Sequence, residues 1–514
     1  MPAESIPVDL PEATSVNASG TDILTQDVSE KLPGHDPFLV QFDKDDPADP
    51  HNWSKTRRWY LTIASAILTL NATFASSAPS GIISQLTQDF HMSEIVAILT
   101  LSLFVTGYCV GPILWAPLSE RYGRRPIFII SFFLYVCTQV GSALARNTAS
   151  VLVFRFLGGT FAACPLSNSG AVISDIWDAE TRGKALALFA VMPFAGPSLG
   201  PAVAGFIGEN ASWRWVFWLL TIFAGACWVM IIVSMPETYS PIILVYKARK
   251  LRQTTGDSRY YAALERNVPH PRQIVNKVLA RPFLVLFNEP MLMAMTAYLS
   301  FAYGCLYLMF EAYPIVFTVP HNLSPGIAGL TFLPIAIGGT IAVLIYVAIY
   351  NPRYEREVKK CAPEPVPPEF RLEMALIAGP VFAISFFWFG WTSYSRISLW
   401  APLLSGVPVG FSISWIFLSL FNYIIDAYLS VAASAIAASI IFRSISGAAF
   451  PLFAKQMYDK LNPRWASSLL GFFAIALVPI PFVLIKYGPV LRKKSKFIPA
   501  YMPPASETST DKTV

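Results

Sequence analysis

The sequence predicts an all-α membrane protein that crosses the bilayer twelve times, six spans on each side of a long basic loop. Three observations carry this. Only 14% of its 514 residues are charged, against about 25% in soluble domains. Apolar runs of about 20 residues, the length that crosses a bilayer core, recur along the chain. Lys and Arg gather in every second loop, the bias that marks the cytoplasmic side. The net charge of +6 combines basic loops with an acidic amino-terminal stretch, a distribution that suits a membrane protein better than a nucleic-acid binder. The 6 cysteines have no metal-ligand spacing and most lie in apolar runs, so neither a metal site nor a disulfide is expected.

Taken in order, residues 1–57 are rich in Asp, Glu, Pro and Ser, the composition of a disordered cytoplasmic tail. Within it DPADPHNWS, residues 46–54, reads as a short collar before the membrane. No cleavable signal precedes the first apolar run, so that run is the insertion signal. In the first half, 58–235, the spans fall at about 58–80, 95–116, 126–145, 149–173, 183–207 and 214–235. In the second half, 285–488, they fall at about 285–309, 325–350, 373–391, 398–421, 430–453 and 466–488. The basic linker 236–284 separates the halves, its Lys and Arg opposed only by Asp257 and Glu265 between 247 and 281. Further basic clusters follow the eighth and twelfth spans, so the bias and the even count both place the two termini, including the tail 489–514, in the cytoplasm.

The stretch GYCVGPILWAPLSERYGRRP, residues 107–126, organises the first half. Gly107 and Gly111 give one helix face that a neighbour can approach closely. Glu120, Arg121, Arg124 and Arg125 then form a charged corner. It reads either as a plain topogenic loop or as a conformational latch whose charges pair with each other and with helix ends.

Other residues also admit two readings. Arg155 stands in the fourth span about 7 residues, roughly 10 Å, from its start. A mid-membrane charge costs about 2.5–3.5 kcal/mol on insertion scales. Arg155 therefore either faces a polar cavity, coupled to protons or substrate, or snorkels to the interface. Gly196, Pro197, Gly200 and Pro201 weaken the fifth span, for tight packing or for a hinge. Tyr303, Tyr307 and Phe310 form an aromatic stripe, either helix packing or a wall for a flat apolar substrate. Glu311 sits near the outer end of the seventh span, solvated or titrating. Arg443 lies near the middle of the eleventh and calls for a carboxylate or a helix end, in a structural or a transport role. Asp426 is expected at the cytoplasmic face. Asn71, Ser167 and Asn168 either line a cavity or make interhelical hydrogen bonds.

PLSERYGRRP resembles the signature loop between the second and third spans of the major facilitator superfamily, with Ala116 at the place of a Gly and Glu120 at the place of an Asp. RFLGGTFAA, beginning at Arg155, resembles that family's fourth-span motif. GPSLGPAVAG at 196–205 resembles the Gly-Pro motif that exporters carry and uptake members generally lack. MPETYSP at 235–241 and YGCLYLMFEAYPIVF at 303–317 are also similar to these relatives. From about 46 to 490 the chain resembles the fungal twelve-span drug:proton antiporters, among them the cercosporin facilitators. The resemblance implies the major facilitator fold, two six-helix halves related by an axis along the membrane normal. It implies export of drugs, secondary metabolites or toxins in exchange for protons, with Arg155 linked to proton movement. The expected partners are a small-molecule substrate, protons and the lipid bilayer, with no cofactor and no nucleic acid. A monomer in the plasma membrane is expected, with the vacuolar membrane as the alternative.

Polyamine export is the runner-up, but a polyamine site needs several buried carboxylates and the spans offer few. An uptake carrier is a third reading. No P-loop pattern occurs, so an ion gradient is the expected energy source. No clustered catalytic constellation is readable, so an enzyme is not expected.

Overall fold

The computed structural model describes residues 36–178, 181–266, 280–361, 366–394, 396–428, 431–495 and 497. Among these, everything regular is helical apart from one isolated bridge between Leu39 and Tyr261. The spans of the first half are Lys55–Ser77, Glu94–Tyr122, Arg124–Ala143, Thr148–Ile176, Arg182–Asn210 and Arg214–Ser234. Each lies within a few residues of its predicted range except the second, which continues past the predicted 116 to Tyr122 and takes Glu120 and Arg121 into the helix.

The second half departs more. The seventh span starts at Pro290, later than the predicted 285, and Arg281–Asn288 is a separate helix before it. Pro290 has no N–H with which to continue the preceding helix, so the chain breaks there. The eighth span is built from Pro325–Leu330 and Leu333–Ile345, ending in a π-helical turn, Tyr346–Tyr350. The ninth is Glu373–Thr392, and the tenth joins Trp400–Leu404 to Gly406–Ala427. The last apolar stretch, Ala432–Lys494, holds two passes. Asn462 leaves the helical region with φ 61° and ψ 155°, and Pro463 follows it. The eleventh span is therefore 432–461 and the twelfth 463–494, tied across the reversal by the Tyr458 and Ser467 hydroxyls, 2.9 Å apart. The count of twelve stands.

The halves repeat one scheme. At the start of the third span Arg124 Nε donates to Asp175 Oδ2 at the end of the fourth, at 3.1 Å. At the start of the ninth Arg371 Nε donates to Asp426 Oδ2 at the end of the tenth, at 2.8 Å. Trp115 Nε1 bridges the second span to the fourth through Thr160 O at 2.8 Å, and Trp415 Nε1 bridges the tenth to the eighth through Ala342 O at 2.8 Å. Across the interface the second span packs on the eleventh and the fifth on the eighth. Large apolar side chains such as Ile222, Val233 and Leu344 remain exposed on the outer surface, as a lipid-facing surface requires.

Residues 36–54 correct the expectation of a tail disordered to 57; 1–35 lie outside the described residues. Val40 packs with Val245, Ala248 and Ala262 of the linker. Val40 N donates to Tyr261 O, and Tyr261 N to Phe38 O, both at 2.9 Å. Lys247 Nζ, on the linker helix Ser240–Thr255, reaches Asp46 Oδ2 at 2.7 Å and Asp43 Oδ2 at 3.1 Å. Burial raises the Asp46 carboxyl, but the Lys247 ammonium and the Ala48 N–H outweigh it and hold it below the ordinary value. The collar is real: Asp49 caps the short helix Pro50–Asn52, and Trp53 is buried beside it. Acidic composition does not bring disorder here because these acids have a basic partner about 200 residues away, and pairing neutralises the repulsion that favours disorder. Residues 267–279 of the linker and 498–514 of the second tail lie outside the described residues.

Candidate functional site

The bundle has a linker side, which carries the strap of residues 36–54, and a far side. On the far side the halves are closed. Glu94, opening the second span, pairs with Lys455 of the eleventh. Gly326 N donates to Glu209 Oε1 at 2.6 Å. Backbone meets backbone here: a β-carbon at Gly329 would lie 2.7 Å from Ala202 N, and one at Gly205 would lie 2.9 Å from the Pro325 carbonyl carbon. On the linker side no ion pair among the described residues joins the two halves.

Between these ends runs an aromatic seam. Tyr307 Oη lies 2.8 Å from Ser76 Oγ of the first span and accepts from Tyr303 Oη at 3.3 Å. Tyr303 lies 6.1 Å from Phe417, which meets Phe194 of the fifth span at 5.5 Å. Arg443 stands at the centre. Its guanidinium is 5.1 Å from the Tyr303 ring and 5.4 Å from each of Phe417 and Phe421. Such contacts stabilise a cation by about 0.5–2 kcal/mol, less than the cost of placing it mid-membrane. The side chain is partly accessible, yet Nε is covered and has no hydrogen-bond partner. No carboxylate among the described residues pairs with it. The stripe read from the sequence divides: Tyr303 and Tyr307 face the seam, while Phe310 turns to Phe332 of the eighth span, 5.2 Å away.

Arg155 is 1% exposed and does not snorkel. Nε donates to Thr100 O at 2.6 Å, and Nη2 to Ala75 O at 2.9 Å and Ser76 O at 3.3 Å. The sequence supplies the reason. Helical Ala75 O would accept from the N–H four residues on, and that residue is Pro79. Arg155 takes the orphaned carbonyl and joins the first, second and fourth spans. Its guanidinium also lies 4.0 Å from the Phe104 ring.

At the charged corner Arg124 is the buried member. Besides Asp175 it donates Nη1 to Ser119 Oγ at 2.7 Å. Glu237, from the Pro-Glu-Thr segment after the sixth span, accepts from Arg124 N at 2.8 Å, Arg125 N at 3.1 Å, and Thr238 N and Tyr239 N at 3.0 Å. A carboxylate at a helix N-terminus both satisfies orphan donors and complements the dipole. Arg125 donates Nη2 to Ile232 O at 2.9 Å. Glu120 and Arg121 are exposed. The carboxylates that hold this corner are thus Asp175 and Glu237, not Glu120.

Gly196, Pro197, Gly200 and Pro201 lie inside one uninterrupted helix, Arg182–Asn210. The two glycines let it press on the first span: a β-carbon at Gly196 would meet Phe74 N at 2.7 Å, and one at Gly200 would meet Ala78 N at 2.9 Å. Glu311 is 7% exposed, its Oε1 without a partner, near Glu94 and Lys455. Asn71 is buried toward Cys227 of the sixth span, away from the seam. Asn168 accepts from Ser119 Oγ at 3.0 Å, the interhelical reading. The sequence reading missed Glu94, Lys455, Asp175 and a role for Glu237. Their partners are distant in the chain, and no local pattern marks them.

Twelve helices in two like halves, closed at one end over an aromatic seam, define a membrane transporter. Residues 65–451 match the Major Facilitator Superfamily, and the chain belongs to it. It is 40% identical over 501 residues to an MFS-type efflux pump of Trichophyton rubrum, covering 96% of this chain and 83% of that one. It is 40% identical over 502 residues to a major facilitator superfamily multidrug transporter of Aspergillus fumigatus, covering 96% and 82%. A citrinin biosynthesis cluster MFS transporter of Monascus ruber is 39% identical over 501 residues, covering 96% and 99%. Among solved structures, the xylose transporter XylE from E. coli in a partially occluded inward-open conformation shares the fold. The TM-score is 0.59 at 18% identity, over 84% of this chain and 98% of that one.

Proposed function

We propose that this chain exports hydrophobic or amphiphilic small molecules, including drugs and secondary metabolites or toxins, by proton antiport. The observation that carries the reading is the full-length similarity to efflux pumps and toxin-cluster transporters, joined to a seam walled by Tyr303, Tyr307, Phe417 and Phe194. The halves 58–235 and 285–488 rock about this seam as a monomer, linked by 236–284. The basic linker and both termini lie in the cytoplasm, and the membrane is the plasma membrane. The far side is then the outside, and the present state is closed to it. Glu311 carries the proton: a buried carboxylate beside the Glu94–Lys455 pair senses, by its charge, whether that pair is made. The corner Arg124–Asp175–Glu237 latches the first half, and the Gly196–Pro201 segment serves as the sliding hinge. Polyamine export is disfavoured because the charge in the seam is Arg443, a cation.

The test uses the purified chain in proteoliposomes with an imposed pH gradient and a panel of planar aromatic compounds, azoles and spermidine. Accumulation of an aromatic compound coupled to proton movement, with the coupling lost in Glu311→Gln, is the expected result. Accumulation that ignores a collapsed pH gradient would overturn proton antiport.

A further inference from the structure

Arg443 carries an inference about which compounds the seam accepts, and it rests on the export reading above. Five N–H donors project from a guanidinium, and here none makes a hydrogen bond to the protein among the described residues. The three rings around it, Tyr303, Phe417 and Phe421, attract its charge but offer no carboxylate or carbonyl oxygen. The acids at the ends of the spans do not pair with it. Asp426 is held by Arg371 at 2.8 Å on the linker side. Glu94 is held by Lys455 on the far side, with Glu311 beside that pair. Arg155, by contrast, gives Nε and Nη2 to three backbone carbonyls. Arg443 is therefore a fixed, partly accessible cation with unspent donors, set among aromatic faces where the two halves meet.

We infer that the seam selects compounds that place a carboxylate or phenolate on a flat aromatic frame. The anion takes the planar fork of Arg443, which matches a carboxylate in two parallel hydrogen bonds. The ring system lies against Tyr303, Phe417 and Phe421. A neutral compound of the same shape keeps the ring contacts and loses the fork. A cation of the same shape meets repulsion.

Three probes of one shape separate these cases: 1-naphthoate, neutral 1-naphthamide and cationic 1-naphthylmethylamine. Binding is measured on the full chain in lipid nanodiscs at pH 7 and transport in proteoliposomes. The expected result is naphthoate binding at least tenfold tighter than the amide, with the amine weakest, and naphthoate transported. Arg443→Gln removes the tenfold gap and leaves the amide within threefold. Cys109→Asp, which sets a protein carboxylate beside Ile441, two residues from Arg443, weakens naphthoate and spares the amide. Equal binding of naphthoate and amide by the unaltered protein overturns the inference, as does an Arg443→Gln variant that weakens both alike. Should Arg443→Gln fail to fold, the wild-type preference and Cys109→Asp decide. Transport of neutral azoles but of no anion also overturns it, with export intact. Transport of nothing overturns the export reading and this inference together.

Discussion

Arg155 and Arg443 stand in membrane-spanning helices of opposite halves, and the contrast between them separates scaffold from site. Arg155 reaches three backbone carbonyls, one orphaned by Pro79, and is sealed from solvent. Arg443 touches rings, makes no hydrogen bond among the described residues and remains partly accessible. The corners show the opposite relation. Arg124–Asp175 and Arg371–Asp426 repeat one device at matching places. Where the halves agree the residues hold the bundle together; where they differ, at mid-membrane, the difference is available for function.

The largest effect that tests this contrast belongs to Arg155→Ala. It strips the Arg155 donor from the Ala75 carbonyl, which Pro79 leaves without a helical partner, at about 1–3 kcal/mol for the group left unsatisfied. A thermal melt in detergent is expected to fall far below the parent's, with Arg155→Lys giving little rescue because an ammonium lacks the guanidinium's fork. Arg443→Gln is expected to melt within a few degrees of the parent. Equal melts for the two arginine variants would break the contrast.

Next come the corners. Asp175→Asn leaves the Arg124 charge buried without its carboxylate and is expected to destabilise by about 3 kcal/mol. Asp426→Asn, at a more exposed pair, is expected to cost about 1.5–3 kcal/mol. Denaturant midpoints that rank them the other way would show that the repeat is geometric only.

A smaller effect concerns the strap, which the second half has no counterpart for among the described residues. Lys247→Ala frees Asp43 and Asp46, at about 0.5–1 kcal/mol for a partly exposed pair. Protease cleavage within 36–54 is expected to quicken while the spans stay intact.

The smallest effect is His51. Its hydrogen bond to Asp49 raises the imidazole above its ordinary 6.5, burial opposing, with the Asp178 and Asp175 charges adding to the rise. A raised folded value means that its stabilisation is full below about pH 6.5 and is lost as pH rises through the folded value. Strap protection is expected to be greater at pH 6 than at pH 8, and His51→Gln to flatten that dependence.

Much of the fold was legible because the bilayer imposes it. Apolar length located the spans. The eleventh span runs past the 453 that hydropathy indicated, and the reversal falls at Asn462, just before Pro463. The site was legible only in part. Arg155 and Arg443 announced themselves as charges in apolar runs, but not which was held by backbone carbonyls. The first needed Pro79 and the second needed the positions of Phe417 and Phe421. Asp175 and Glu237 went unnoticed as corner residues because each lies at a span end, where acids are ordinary. The strap was misread because composition alone cannot show that Lys247 waits for Asp46.

The far-side closure has a consequence for engineering. Gly205 and Gly329 shut that end through bare backbone, so any side chain at either position is a doorstop. Gly329→Leu should arrest the molecule with that doorway ajar, yielding a frozen carrier whose exposed face can be titrated without turnover and against which conformation-selective antibodies could be raised.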